Sequence, residues 1–238
     1  MLGRCPIVEL RQYTVHAGAR DVLADLFDRR FVAAQESVGI RVLGQFRDLD
    51  DPNRFVWLRG FADMRARREG LAGFYGGEAW KAYRDTANAT MVDSDNVLLL
   101  TPAPGEPAPP PGRHEAGARA ALPMIVATIH YVERESLARF AAFFDGEMRP
   151  GLQAAGLVPF AQLQSSAEIN NYPALPVREE DAVFVWFSRA QDPHDHRRRR
   201  ASFLLSDWRA RAPAAVLRQL ARKPEILMLA PTPGSRLR

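Results

Sequence analysis

The stretch Ile7-Val8-Glu9-Leu10-Arg11-Gln12-Tyr13 decides the fold, because the chain contains a second stretch of the same kind. Ile125-Val126-Ala127-Thr128-Ile129-His130-Tyr131 is also strand-like, and a helical stretch follows each of the two. Further matches occur in the same order, namely the FVWL of residues 55–58 with the FVWF of 184–187, Trp80 with Trp208, and the LTP of 100–102 with the LAP of 229–231. An ordered series of this kind predicts a tandem duplication.

The spacing of the matched residues also predicts an insertion in the second copy. Tyr13 and Tyr131 are 118 residues apart, whereas the later pairs are 128 or 129 residues apart. The second copy therefore contains about ten extra residues between its first strand and the strand that carries Trp186. We expect them in residues 164–173, which read QSSAEINNYP.

Between the copies, residues 101–112 read TPAPGEPAPPPG, a proline-rich run that cannot continue a strand or a helix. Such a run is a semi-rigid linker in an extended, polyproline-like conformation. The sequence therefore predicts a first domain over residues 1–103, a linker over 104–122 and a second, diverged domain over 123–238. A proline-rich ligand for a partner module is the alternative interpretation of this run.

The predicted order of elements in each copy is strand, helix, strand, strand, helix, strand. In the first copy, apolar spacing predicts a helix over residues 18–38 that stops at Gly39. The rest of this copy is a hairpin over 40–47 and 54–61, a helical region over 63–91 that restarts at Glu78 after the glycine-rich run 73–77, and a strand over 97–100. This βαββαβ order is that of a ferredoxin-like α+β domain, whose antiparallel sheet carries helices on one face only.

Three motifs of the first copy resemble those of the NIPSNAP family. They are the ELRQY of residues 9–13, the FVWLRGFAD of 55–63 and the EAWKAY of 78–83, within a resemblance that covers about residues 6–103. The resemblance implies a dimeric α/β-barrel, in which the open faces of two ferredoxin-like sheets pack together. In a duplicated chain, both sheets come from one molecule and form an intramolecular pseudo-dimer.

This architecture implies a cavity that binds a small aromatic or acidic organic molecule. Relatives with the same architecture include cofactor-independent oxygenases, isomerases and haem-binding enzymes, but a shared fold does not fix a function, so whether the chain is an enzyme stays open. We predict no cofactor, and haem enters by this fold analogy alone. The alternative function, which the resemblance also implies, is a non-enzymatic interaction or stress-response module.

The main candidate binding residues lie on two strands of the first copy. Period-two alternation places Glu9, Arg11 and Tyr13 on one face of the first strand, and we expect this face to point into the barrel. Arg11 would bind an anionic group of the substrate while Glu9 holds its orientation, and a purely structural Glu9–Arg11 network is the alternative. On the third strand, Trp57 and Arg59 share a face and would border the same cavity. On this interpretation, Arg11→Ala and Trp57→Ala leave the fold intact and abolish ligand binding.

Four other residues complete the candidate set. Trp80, Tyr83 and Arg84 share one surface of a helix, since they are spaced i, i+3 and i+4. We expect them to contribute to the binding site, with simple core packing of the aromatic rings as the alternative. His16, in the loop after the first strand, is a weak candidate for a catalytic acid or base.

The second copy lacks the charged strand of the first. Ala127 and Ile129 stand where the first copy has Glu9 and Arg11, so we expect a single, asymmetric polar site. His130 is expected to face the helices as a core histidine whose hydrogen bonds are satisfied.

The run DPHDHRRRR that starts at Asp192 suggests metal chemistry but is better interpreted as the start of a helix. Asp192 is a suitable N-cap and a proline follows it at the first helical position. His194 and His196, two residues apart, would diverge on a helix, so no metal site is predicted. The arginines at 197–200 form a solvated helical face or bind an anionic partner.

Composition and charge favour an ordinary globular protein. The chain has 32 basic and 28 acidic residues, a net charge of +4, and all but two of the basic residues are arginine, which GC-rich coding explains, so no nucleic-acid partner is predicted. There is no apolar run of ~18 residues, no signal-like N-terminus, and one cysteine, Cys5, that cannot form an internal disulfide. We therefore predict a bacterial-type, cytoplasmic protein without a membrane span, with a small-molecule ligand as its partner and a homo-oligomer left open.

Overall fold

The computed structural model describes residues 5–105, 123–206 and 220–238. Up to Pro102, its elements are β1 (Ile7–Val15), α1 (Arg20–Leu26), a π-helical turn (Phe27–Phe31), α2 (Val32–Ser37), β2 (Arg41–Asp48), β3 (Arg54–Phe61), α3 (Met64–Gly76), α4 (Glu78–Asn88) and β4 (Met91–Pro102). From Met124, they are β5 (Met124–Val132), a 3₁₀ turn (Arg134–Ser136), α5 (Leu137–Phe143), a second π-helical turn (Phe144–Met148), α6 (Arg149–Ala154), β6 (Ala161–Ser165), β7 (Ala182–Ala190), α7 (Pro193–Leu205) and β8 (Glu225–Pro231).

The chain forms two compact units that do not coincide with the two halves of the sequence. The first unit is the chain to Pro102 together with Ser165–Glu180 and Leu229–Arg238. The second unit is Ala103–Gln164 and Asp181–Met228. Both segments that join the first unit from the second half belong to it by packing rather than by sequence order.

The strands of each unit pair in antiparallel fashion. In the first unit, β1 lies between β3 and β4, and β2 pairs with β3 and with the end of β8, all antiparallel. In the second unit, β7 lies between β5 and β6, again antiparallel. The strand order β1-β3-β2-β8-β5-β7-β6-β4 is that of a closed barrel, so the protein is a mixed α/β fold built on an eight-stranded barrel.

The helix after the first strand is confirmed in both units. Residues 20–37 are helical throughout, and Gly39, with a φ of +84°, leaves the helix in the left-handed conformation that glycine adopts without strain. Each helix contains a π-helical turn at the same distance from its strand, at Phe27–Phe31 and at Phe144–Met148. These turns put Phe27 against Trp57, with ring centroids 4.5 Å apart, and Phe144 against Trp186, at 5.8 Å.

The second helical region begins as the capping residues predict. The side chain of Asp63 accepts a hydrogen bond from the backbone N–H of Ala66 at the start of α3, and that of Asp192 accepts one from Asp195 at the start of α7. The restart at Glu78 is confirmed, although Gly73 lies inside α3 rather than in the bend. The predicted helix around Trp208, and the predicted linker from residue 106 onward, lie outside the described residues.

One connection is much longer in the second unit, as the spacing predicts. Residues 49–53 join β2 to β3, whereas residues 166–181 join β6 to β7. We call the segment that packs in the first unit, Ser165–Glu180, the strap; it consists of the last residue of β6 and most of this connection. Its backbone is tied to β4, because the N–H groups of Ser166 and Arg178 donate to the carbonyls of Leu99 and Val97. Among the described residues, no helix has the length and apolar character that crossing a bilayer requires.

Candidate functional site

The predicted charged residues form a buried cluster in the first unit. Glu9 is fully buried, and its carboxylate accepts hydrogen bonds from Arg11 Nη1 at 2.8 Å, Arg59 Nε at 2.7 Å and Arg67 Nε at 2.7 Å. Burial alone would raise the pKa of Glu9, but the charges of Arg59, Arg11 and Arg67 hold this pKa well below its usual range. We call these four residues the Glu9 cluster, and within it one carboxylate accepts hydrogen bonds from three guanidinium groups.

The Glu9 cluster lies between the sheet and the helices. Strand pairing sets Glu9 opposite Arg59, while Arg67 reaches the carboxylate from α3 and Gln35 accepts from Arg59 from the side of α2. The prediction that this face of β1 points into the barrel is therefore wrong. Both faces of β1 are buried, so hydrophobicity did not mark the helix-facing side, and the three arginines supply the counter-charge that burial of Glu9 requires.

Aromatic rings fill the space around the Glu9 cluster. Trp57 packs edge-on against Tyr13 and beside Phe27, and the guanidinium carbons of Arg59 and Arg11 lie 5.0 and 5.6 Å from its ring centroid. Arg11 Nε also donates to the hydroxyl of Tyr13 at 3.0 Å. Trp57 and Arg59 share a face as predicted, but that face is part of the packed core of the first unit.

The strap closes the outer side of the Glu9 cluster. Arg67 Nη1 donates to the side-chain oxygens of Asn170 at 3.0 Å and Asn171 at 2.8 Å, and the amide of Asn171 donates back to the carbonyl of Met64. The ring of Tyr172 stacks on that of Tyr75 in α3, with ring centroids 6.4 Å apart. Arg67 is thus held from both ends, by β1 and by the strap.

The other predicted residues of the first unit lie apart from the cluster. Trp80 packs on Phe31 at 5.6 Å, and the guanidinium of Arg30 lies 5.2 Å from the ring centroid of Tyr83, so both rings belong to the edge of the core. Arg84 is exposed on α4, and His16 is exposed in the loop after β1. The substrate-binding and catalytic roles assigned to these residues stay predictions.

Strand pairing shows which residues of the second unit occupy positions that match the Glu9 cluster when Trp57 is aligned with Trp186. In the first unit, Glu9, Arg11 and Tyr13 pair with Arg59, Trp57 and Phe55. In the second unit, the residues paired with the matching Ser188, Trp186 and Phe184 are Val126, Thr128 and His130. The assignment of Ala127 and Ile129 as counterparts is therefore wrong by one residue, because it followed the match of Tyr13 with Tyr131. The expectation that the second copy lacks the charges of the first still holds at the corrected positions.

The helix positions correspond as well. Arg67 and His196 each donate a backbone N–H to the carbonyl of their own capping aspartate, Asp63 or Asp192, four residues earlier. His196 therefore stands where the first unit has Arg67. Every arginine of the Glu9 cluster is replaced by a smaller side chain, with Thr128 for Arg11, Ser188 for Arg59 and His196 for Arg67.

A cavity of about 300 Å³ is present in the second unit, and Thr128 and His196 line it. Its polar lining consists of Thr128, His130, His196 and Arg200, together with the indole of Trp186. The rest of the lining is apolar and comes from Phe140, Phe143, Met148, Leu152, Leu157, Phe203, Leu204, Leu220, Pro224 and Ile226. The four polar side chains thus meet in an otherwise apolar space.

His130 is held in one neutral form. The indole N–H of Trp186 donates to His130 Nε2 at 3.1 Å. Because an indole nitrogen can only donate, Nε2 must carry the lone pair and the proton must lie on Nδ1. Burial lowers the pKa of His130 to about 4, so the ring is neutral at pH 7. Its Nδ1–H has no hydrogen-bond partner within the described ranges of the chain. The prediction of a helix-facing histidine is confirmed, but only one of its nitrogens is satisfied.

His196 is the second imidazole of the cavity. It is 2 % exposed, and neither of its ring nitrogens has a hydrogen-bond partner among the residues that the structure describes. Burial, together with the charge of Arg200, lowers its pKa. His194 is exposed on the same helix, so the two histidines diverge as predicted, and no group of three or more His, Cys, Asp or Glu suited to a metal ion occurs among the described residues.

The arginine run after His196 is only partly a solvated face. Arg198 and Arg199 both pair with Asp195, and Arg199 also donates to the carbonyl of Gly156 at 2.8 Å. Arg200 contributes instead to the cavity. The combination of Thr128, His130, Trp186, His196 and Arg200 was not predicted, although the correct strand register places polar residues at alternate positions of β5.

Comparisons with known proteins agree with this fold. A putative monooxygenase from Fusobacterium nucleatum has a TM-score of 0.56 at 11% identity, covering 95% of this chain and 92% of its own. A putative monooxygenase from Lactobacillus acidophilus has a TM-score of 0.53 at 12% identity, covering 95% and 94%. An uncharacterized NIPSNAP-like domain protein from Burkholderia xenovorans is 28% identical, with a TM-score of 0.39, over 44% of this chain and 91% of its own. No curated protein matches the chain.

The fold is thus that of α/β-barrel proteins which include monooxygenase-like members. Residues 8–106 match the family model NIPSNAP, as the three motifs of the first copy predict.

Proposed function

We propose that the chain binds a small, mostly apolar organic molecule in the cavity of the second unit. The observation that carries this proposal is the state of His196, whose two buried ring nitrogens have no partner. A buried polar atom without a hydrogen bond costs about 1–3 kcal/mol, and natural structures keep few such groups unless they serve a function. A bound molecule that supplies these hydrogen bonds accounts for the arrangement.

The character of the cavity supports the same proposal. Small-molecule sites are mostly apolar concave spaces with a few well-placed polar groups, and their volumes start at roughly 300 Å³. A cavity of about 300 Å³ suits a molecule of one to three small rings. The proposed ligand is smaller than a haem macrocycle, and the proposal includes no cofactor.

The chemistry we propose for this site is proton transfer to a neutral imidazole. His130 is committed to donating from Nδ1, since its other nitrogen accepts from Trp186. His196 has one nitrogen free to accept a proton from a bound molecule. Removal of a proton is a step that isomerases and cofactor-independent oxygenases share, and the putative monooxygenases among the structural neighbours share the fold. The non-enzymatic interaction module remains the alternative.

We also infer that the two units are copies of one ferredoxin-like domain arranged as an intramolecular pseudo-dimer. The matching cap positions Asp63 and Asp192 and the two π-helical turns support this inference. A duplicated site that is filled in one copy and open in the other then follows from substitution at corresponding positions.

The experiment is a ligand screen by thermal shift, with hits confirmed by calorimetry. Leu204 lines the cavity, whereas the neighbouring Leu205 does not and is 87 % exposed. Leu204→Trp should abolish the binding of any hit, and the matched control Leu205→Trp should preserve it. Hits would then be tested for oxygen consumption and for exchange of a ligand proton with solvent.

The outcomes separate the functions. Binding lost in Leu204→Trp alone, with turnover that Trp186→Phe or His196→Gln abolishes, supports an enzyme. Binding without oxygen consumption or proton exchange leaves a ligand-binding protein. No hit from a broad library of apolar and aromatic compounds would overturn the proposal and favour the interaction module.

A further inference from the structure

We infer that the ligand of the second unit carries a carboxylate, which His196 and Arg200 bind. This inference rests on the proposed function, because it specifies the chemistry of the molecule that occupies the same cavity. It narrows the ligand from any apolar molecule to an apolar organic acid of one to three rings.

The polar lining of the cavity is matched to an acceptor. Arg200 can only donate and is always positively charged, and His130 presents only its Nδ1–H. Thr128 and His196 can each donate one further hydrogen bond. Among the described residues, the lining contains no aspartate or glutamate, so none of them supplies the anionic acceptor that these donors suit.

Arg200 is available for this role, unlike its neighbours. It follows His196 by four residues on α7, so the two side chains share a face of the helix. Arg198 and Arg199 are engaged by Asp195, whereas Arg200 has no ion-pair partner among the described residues. Its guanidinium therefore contributes positive charge at the cavity without a counter-charge from the part of the chain that the structure describes.

In the first unit, the residues at the positions of His196 and Thr128 bind a carboxylate. There Arg67, the counterpart of His196, donates to the carboxylate of Glu9 at 2.7 Å, and Arg11, the counterpart of Thr128, donates to it at 2.8 Å. The second unit replaces Glu9 with Val126 and keeps hydrogen-bond donors at both other positions. The internal carboxylate is gone while groups that can bind one remain, so an external carboxylate can take its place.

The test compares acids with their uncharged counterparts. Calorimetric titrations of the full chain at pH 7 would use matched pairs of one, two and three rings, beginning with benzoate and benzamide and with 1-naphthoate and 1-naphthamide. In the pair that fits, we expect the acid to bind about tenfold more tightly than the amide, the difference that an ionic hydrogen bond typically makes.

Variants then locate the charge. Arg200→Gln should remove the tenfold preference without weakening the amide, and Arg200→Lys should keep most of it. His196→Gln, which retains a donor, should keep more of the preference than His196→Phe. The control is Arg65→Gln, since Arg65 is exposed on α3 and distant in sequence from the cavity residues. This substitution should change the affinity of neither the acid nor the amide.

Each result has a distinct meaning. Acids preferred in wild type but not in Arg200→Gln support the inference. Acid and amide binding equally well, with no effect of Arg200→Gln, overturns the carboxylate while the proposed function stands. Failure of every pair and of the wider library overturns both.

Discussion

Glu9 and Arg67 are 58 residues apart in the sequence, yet Arg67 Nε donates to Glu9 Oε1 at 2.7 Å with both side chains fully buried. The pair joins the first strand to α3. Arg11 and Arg59 share the same carboxylate, so the loss of Glu9 would leave three buried guanidinium groups without a counter-charge.

We therefore expect Glu9→Gln to destabilise the protein strongly. Removing one partner of a buried ion pair typically costs 3–5 kcal/mol, because the remaining charge stays buried and unpaired. Urea unfolding at pH 7 should show a free energy of unfolding lower by about that amount.

The matched control for this change is an exposed pair of the same unit. Arg47 Nε donates to Asp21 Oδ1 at 2.5 Å, but the side chain of Asp21 is 74 % exposed. Asp21→Asn should cost less than about 1 kcal/mol, since solvent screens such pairs. Equal losses in the two variants would contradict a structural role for the Glu9 cluster.

Trp57→Ala is expected to destabilise the first unit rather than leave the fold intact. The indole is 1 % exposed and packs against Tyr13, Phe27 and two arginines. Truncating a buried aromatic side chain to alanine usually costs about 3–5 kcal/mol. Thermal unfolding should show the loss, whereas the exposed Val92→Ala should unfold within a few degrees of wild type.

Stability should fall in mild acid because of His130. Its pKa is lowered from an ordinary 6.5 to about 4 by burial, so the unfolded chain takes up a proton at a higher pH than the folded chain does. The favourable contribution is complete above pH 6.5 and is lost as the pH falls from 6.5 to 4, by about 3 kcal/mol in total.

Unfolding titrations at pH 7, 5.5 and 4 would measure this loss. His130→Gln cannot take up the proton, so its stability should depend less on pH by about 3 kcal/mol over the same range. The exposed His194→Gln should follow wild type. A profile for His130→Gln that parallels wild type would rule out this origin of the acid sensitivity.

Asn171→Ala should loosen the strap without unfolding the sheet. The substitution removes the hydrogen bond from Arg67 and the one to the carbonyl of Met64, with an expected cost of about 1–3 kcal/mol. Hydrogen exchange should quicken at the amides of Ser166 and Arg178, which bond to β4. The exposed Glu168→Ala is the control, and strap exchange as slow as wild type in Asn171→Ala would contradict the anchoring role.

The repeated motif predicted the elements better than it predicted their faces. Period-two alternation correctly grouped Glu9, Arg11 and Tyr13 on one side of β1, because backbone geometry sets that pattern. This alternation does not indicate which side of β1 meets the helices, because Val8 and Leu10 on one side are as buried as Glu9 on the other. The deciding partner, Arg67, comes from a helix distant in sequence, and no local signal connects it to Glu9.

The candidate site was missed for a related reason. Matching Tyr13 with Tyr131 was a plausible alignment of two strands, but a shift of one residue exchanges the two faces of a strand. The shifted register puts Ala127 and Ile129 on the face that Thr128 and His130 occupy. When the two units are aligned on Trp57 and Trp186, the residues paired with these tryptophans, Arg11 and Thr128, restore the register.

The strap has a consequence for how the gene can be divided. Ser165–Glu180 and Leu229–Arg238 are encoded in the second half but complete the first unit, where they hold Arg67 and pair with β2. A fragment ending in the proline-rich run would lack both segments and expose the free edge of β2. The first unit thus depends on segments from the second half, so the chain should be expressed and engineered as one piece, and a fragment that stops in the proline-rich run should be less soluble than the whole chain.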